Sequence, residues 1–255
     1  QMNGLRSELL KYRRTFTKKL VILLPLFFVL QAMPGIWLMP KDVVRGWEHV
    51  NTMVFNIWTV VFLPLGIALF AYLIDMQERK AGNYRSLRAH AYSPGQIWVS
   101  KVTAMVIFTF IATLILFVAT ICSGLITITD GKWDIPWKTI FTADFLAWLS
   151  CLAIIPIQLW AATWKGMFAS MGVGFAGLIA GMFVVKKSWW FILPWSWGTR
   201  MMCPVLQLDP NGVMLEAGDP LLDASVLPVG IIFSVVGFFV VTGLTALWFQ
   251  RRELK

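Results

Sequence analysis

Residue types able to carry covalent or metal chemistry are few in this chain, and they are far apart. Only two histidines occur, His49 and His90, and an apolar stretch long enough to cross a membrane separates them. With no HExxH and no second histidine nearby, a histidine-based metal site is excluded, and with it an intramembrane metalloprotease. A serine hydrolase would likewise lack a neighbouring imidazole base. Cys122, Cys151 and Cys203 are widely spaced without a CxxC pair, so they imply neither a disulfide framework nor a metal centre. No GxxxxGK[ST] is present, which removes ATP binding through a P-loop. No charged residue or histidine falls in the middle of an apolar run; Asp144 lies near the outer end of one. Proton-coupled carriers and ion pathways normally require such residues. The reading is therefore of a chain with no catalytic residue, metal or cofactor of its own.

What the sequence does concentrate is charge for docking. The interval from Asp75 to Lys101 sets Arg79, Lys80, Arg85, Arg88 and Lys101 against Asp75 and Glu78. Within it Tyr84, Leu87 and Ala91 recur at helical spacing, which predicts a short helix beginning near Glu78. Ser93-Pro94 then has the form of an N-cap followed by proline at the first helical position. A helix with Tyr84 and Leu87 as apolar contacts, and Arg79, Arg85 and Arg88 at the rim, is suited to a protein partner.

The elements that position this interval are membrane spans. The chain has 255 residues, 58% of them apolar, with 14 Trp and 19 Phe, a composition foreign to soluble domains. A span needs roughly 20 apolar residues, and six candidates occur: 20–38, 50–74, 101–126, 141–164, 167–185 and 226–249. The first has a basic lead-in like that of a signal peptide, but its length and the lack of a small-residue cleavage site predict a retained span. Six spans and their connections make one transmembrane domain over 1–255. Fifteen of the 22 lysines and arginines fall on one side of this arrangement and seven on the other. The positive-inside bias then predicts cytoplasmic termini and a cytoplasmic 75–101 loop. Basic residues spread over separate loops do not form a nucleic-acid surface; the net charge of +9 is a topology signal with some attraction to anionic lipid.

The remaining segments follow from their patterns. Leu5, Leu9, Tyr12 and Phe16 form one stripe within residues 1–19, with the basic residues mostly elsewhere, the pattern of a helix lying in the membrane interface. Ser170, Gly174, Gly177 and Gly181 leave one face of the fifth span nearly bare, allowing close approach of another helix from this chain or another subunit. Residues 186–225 form the longest external region. Its KKSWWFILPWSWG opening is too short to span and broken by Pro194, which predicts a re-entrant or interfacial helix. Trp189, Trp190, Trp195 and Trp197 are read as an outer aromatic shelf able to receive an amphiphile, with Asp209 and Glu216 in the acidic loop beyond it.

The order of these elements resembles the permease subunits of type 2 ABC transporters: an interfacial helix before span 1, a basic helix-bearing loop between spans 2 and 3, a very short connection from span 4 to span 5, and short external helices before span 6. The phrase ERKAGNYRSLRAHAYSPGQIWVSK from Glu78, and the final FQRRELK, are similar to that family's coupling segment and basic end. Size and the Trp-rich external side look most like the lantibiotic immunity permeases of Gram-positive bacteria. The resemblance implies an all-α polytopic fold with a coupling helix between spans 2 and 3. It implies docking of that helix on a cytoplasmic ABC ATPase, which alone would bind ATP and magnesium. Pairing with a second six-span permease, related or identical, in a bacterial plasma membrane also follows, as does export of cationic amphiphilic peptides. A type 2 permease for another hydrophobic or lipid-linked compound, and a non-transporting membrane protein, are the alternatives.

Overall fold

Prolines and glycines set the breaks in an otherwise helical structure. The computed structural model describes residues 8–11, 15–40, 43–80, 93–129, 131 and 134–253. After a helical turn at 8–11, helix α1 runs Phe16–Trp37 and continues through Pro25 and Pro34. Helix α2, Trp47–Lys80, contains a wide π turn at Trp58–Phe62 immediately before Pro64. Proline removes one ladder hydrogen bond and crowds the carbonyl four residues back, and a locally widened turn accommodates both effects. Helix α4, Trp137–Lys165, shows the same response: its regular ladder breaks at Leu152 and Ala153, just ahead of Pro156.

Helix α3, Pro94–Thr127, begins with the expected cap. The Ser93 hydroxyl accepts from the Gln96 amide at 3.3 Å, and the Gln96 side chain accepts from the Ser93 amide at 3.1 Å, a reciprocal capping box. Its threonines do not form a polar track. Thr109, Thr113, Thr120 and Thr127 each donate to a carbonyl three or four residues back on the same helix, which satisfies the hydroxyl locally.

Gly166 joins α4 to helix α5, Met167–Val184, at φ +73°. Its amide still caps α4 through the Ala162 carbonyl at 2.7 Å, while its own carbonyl accepts the first bond of α5. A residue with a Cβ would be strained in this left-handed linker. After a short 3₁₀ turn at Trp190–Ile192, helix α6 covers Pro194–Leu206, and α7 covers Val226–Glu253. No strand forms among the described residues; the segment after α6 carries one isolated bridge between Leu208 and Met214.

Five of these helices, α2, α3, α4, α5 and α7, are long and apolar enough to cross a membrane. Helix α1 has 22 residues and packs along α3. Helix α2 lies against α4 and α5, α7 against α3 and α4, and the short α6 sits among α4, α5 and α7. The 43–46, 134–136 and 186–225 segments gather at one end, here the distal end. Residues 8–11, the end of α2, the start of α3 and the end of α7 gather at the other, the basal end.

Candidate functional site

Charged residues meet at the basal end where three stretches of sequence converge. The final turn of α2 supplies Glu78, the second turn of α3 supplies Lys101, and the turn at 8–11 supplies Glu8 and Lys11. Lys101 Nζ donates to Glu78 Oε1 at 2.6 Å and to Glu8 Oε2 at 3.4 Å. Lys11 Nζ donates to Glu8 Oε1 and to Glu78 Oε1, both at 2.8 Å. The Lys101 side chain is only 2% exposed and those of Glu8 and Glu78 are 5% and 4% exposed. Partial burial works against the Lys11 ammonium, but the Glu8 carboxylate and the bonds to Glu78 outweigh it and raise its pKa above the ordinary lysine value. Among the described residues two cations face two carboxylates, and pairing of this kind is the condition under which buried charge is tolerated.

A second knot lies beside the first. Arg79 Nε donates to Asp75 at 2.6 Å, and its guanidinium reaches the Thr163 carbonyl at 3.0 Å. Arg252, near the end of α7, donates to the same carbonyl at 2.6 Å. Thr163 lies in the last turn of α4, where carbonyls have no partner within the helix and cations are favoured. The ends of α2, α4 and α7 are thus tied through one oxygen. Aromatic packing fills the space below: Trp98 donates to Thr245 at 3.0 Å and lies 5.0 Å from the Phe249 ring, and Arg252 caps the Trp248 ring at 5.4 Å. Gly95 abuts the Gln250 side chain, so the start of α3 is pressed against α7.

The proposed docking residues therefore divide. Glu78 and Arg79 lie in these knots, buried or bound to neighbouring helices, and Glu78 faces inward onto Lys101. Tyr84, Arg85, Leu87 and Arg88 lie outside the described residues. Glu8, Lys11, Lys101, Thr163 and Arg252 are the members that sequence reasoning did not single out. Glu8 carried a signal, being the one acid within residues 1–19.

At the distal end the four tryptophans differ in exposure. Trp190 and Trp197 are buried, Trp195 is wedged against α5, and of the four only Trp189 is exposed. The glycine face accounts for Trp195. Gly177 receives the Trp195 ring, Gly181 meets the Trp195 backbone, and Gly174 faces Ala68 of α2, where Ser170 donates to the Ala68 carbonyl at 2.7 Å. The bare face of α5 is thereby filled from within the chain. Asp209 pairs with Lys186 at 2.6 Å, and Glu216 is exposed on the loop beyond. Among the described residues, no group of three or more His, Cys, Asp or Glu comes together as a metal site.

Residues 4–181 match the model of the ABC-2 family transporter protein. The chain belongs to the ABC-2 transporter family. No curated protein and no solved structure gives a match. As an ABC-2 permease it is the transmembrane part of an ABC transporter, a class that works with an ABC ATPase. The matched residues include all four members of the basal charge group. Helix α6, the acidic loop and α7 follow the match.

Proposed function

We propose that this permease is the transmembrane subunit of an ATP-driven exporter that removes lantibiotic-type antimicrobial peptides from the plasma membrane of a Gram-positive bacterium. The observation that carries the coupling half of this reading is the Glu78–Lys101 bond and its two companions, Glu8 and Lys11. These residues flank the 81–92 stretch on both sides and bind its two ends to one another. Force applied between them reaches the feet of α2 and α3 together. A push from an ATPase at Tyr84 and Leu87, with Arg85 and Arg88 pairing at the rim, is then passed to two spans at once instead of being absorbed by a slack loop. Arg79 adds α4 and α7 through the Thr163 carbonyl.

In this reading α1 makes the sixth crossing, both termini and the basal end are cytoplasmic, and residues 1–19 lie along the inner interface. The partner ATPase binds ATP and magnesium, and a second six-span permease completes the pore. Cationic amphiphiles reach the distal end from outside, and their extraction from the outer leaflet requires no charged central channel, in keeping with spans that lack charge at mid-depth.

The test uses the full chain co-expressed with an ABC ATPase and the second permease in a sensitive Gram-positive host. The wild-type complex is expected to co-purify and to raise survival under a nisin-like peptide, whereas Tyr84→Ala combined with Leu87→Ala loses both. Co-purification at wild-type levels would overturn the docking assignment, and unchanged peptide sensitivity with an intact complex would overturn the cargo.

A further inference from the structure

The cations at the basal end fall into two groups. Lys11, Arg79 and Lys101 spend their donors on carboxylates and a carbonyl inside the chain. Lys165 and Arg252 are placed differently: both are exposed, and neither has an ion-pair partner among the described residues. Arg252 donates to the Thr163 carbonyl at 2.6 Å through one terminal nitrogen, and a guanidinium has five N–H donors in all. Exposed cations with donors to spare can take an anion from outside the chain.

A second observation joins these two cations and points to the kind of anion. The Lys165 ammonium lies 4.7 Å from the centroid of the Trp164 ring. Trp164, itself 50% exposed, stacks on Trp160 with 5.5 Å between centroids and 16° between planes. Trp160 meets Trp248 edge-on at 6.2 Å, and Arg252 covers Trp248 at 5.4 Å. A row of three indoles from two helices therefore carries a cation at each end. The backbone closes the row, because the carbonyl that holds Arg252 is only two residues before Lys165. Both cations thus stand at the last turn of α4, a length of about 5.4 Å along the axis. Three residues beyond Lys165, at the start of the next spanning helix, Phe168 is 91% exposed, more than any other large apolar side chain described.

Indoles favour the boundary between membrane and water, with basic side chains reaching the headgroups there. A small soluble anion would use the cations and leave the indole row and Phe168 bare. A zwitterionic lipid brings its own ammonium into a place that already holds two cations. An anionic glycerophospholipid matches every feature, with a phosphodiester for the cations and acyl chains for the apolar surface. We propose that the feet of α4 and α7 bind an anionic glycerophospholipid, its phosphate held by Lys165 and Arg252 and its chains lying along Trp164 and Phe168. The site is independent of what the permease carries.

The full-length chain in phosphatidylcholine nanodiscs with a rising fraction of phosphatidylglycerol provides the test, one of the two lipids being dibrominated on its acyl chains. Bromine quenches tryptophan fluorescence only at close range. At equal fraction, brominated phosphatidylglycerol is expected to quench more than brominated phosphatidylcholine, and Trp164→Phe should reduce that excess. Lys165→Gln, at an exposed position outside the charge knots, should raise the phosphatidylglycerol fraction needed for half of the excess by about fivefold, the effect of one basic residue at an anionic surface. Lys187→Gln removes the same charge at an exposed distal position and should leave that fraction unchanged. Glycerol 3-phosphate added to the buffer supplies the phosphate without the chains and should not displace the lipid. Equal quenching by the two lipids, an excess undiminished in Trp164→Phe, no shift in Lys165→Gln, an equal shift in Lys187→Gln, or displacement by glycerol 3-phosphate each overturns the proposal.

Discussion

The two ends of this permease are built on opposite physical principles. The basal end is closed by charge: two lysines and two glutamates from three stretches meet at 2.6–3.4 Å, and two arginines share one helix-end carbonyl. The distal end is closed by shape: Trp195 enters the glycine face of α5, and Trp47 presses on Gly124 of α3. Charge pairs are directional and can exchange partners, which suits the feet of helices that a neighbour must move. Bare backbone under an indole ring has only one good arrangement, which suits a region that keeps its shape. The difference also explains where unmatched polar atoms lie. Among the described residues Trp47, Asn51, Ser123, Asp144, Trp148 and Trp195 have one toward the distal side, where steric fit does not place donors opposite acceptors, and the hydroxyls of Thr163 and Thr242 have one toward the basal side.

The comparison is broken most severely at Lys101. Lys101→Met takes the more deeply buried of the two lysines away from Glu8 and Glu78, and loss of one partner of a buried pair costs about 3–5 kcal/mol. A large fall in thermal unfolding temperature in detergent is expected. Adding Glu78→Leu to that variant should recover part of the loss, since an apolar replacement no longer strands a charge. If Lys101→Met alone unfolds like the wild type, the charge group does not hold the basal end.

Shape at the distal end is tested along one helix. Gly181→Ala brings a methyl to 3.0 Å from the Trp195 backbone, which cannot rotate away, and overpacking of this kind costs about 1–3 kcal/mol. Gly172, on the same helix, has open space around it, so Gly172→Ala should stabilise by about 0.5–1 kcal/mol through helix propensity. Unfolding temperatures of the two variants should therefore move in opposite directions; a shared direction would mean that close packing on Trp195 is not what α5 requires.

The smallest effect concerns the one described distal ion pair. Partial burial alone would raise the Asp209 pKa, but the hydrogen bond from Lys186 and the Asn211 amide hold it below the ordinary aspartate value. Its contribution is thus present above the unfolded aspartate pKa of about 3.9 and is lost as pH falls through the lower folded value. Lys186 is largely exposed, so the pair is worth less than about 1 kcal/mol. Lys186→Met should unfold slightly earlier than the wild type at pH 7, with the gap closing as pH falls below the unfolded aspartate value of about 3.9. A gap that persists in acid would show that the lysine acts through something other than Asp209.

Much of this was legible in the residues themselves. The Ser93-Pro94 cap, the short turn between α4 and α5 and the small-residue face of α5 all depend on local geometry, and local geometry is written in adjacent residue types. The family, too, was legible in the order of elements. The charge group was not, because Glu8, Glu78 and Lys101 are distant in sequence and each alone reads as an ordinary flank of an apolar run. The burial of Trp190 and Trp197 was not legible for a related reason. An aromatic at a membrane boundary can face lipid, water or another helix, and composition does not distinguish them.

By itself, then, the sequence determined that this is a helical membrane permease, the transmembrane part of an ABC transporter and not its ATPase, since those properties follow from residue types, run lengths and the order of elements. Tertiary structure alone decided which surfaces are spent inside the chain and which stay open. It put Trp195 into the glycine face of α5, turned Glu78 inward onto Lys101, and left Lys165 and Arg252 at the two ends of an indole row. Those outcomes depend on which helix lies against which, and no single stretch of residues contains that information.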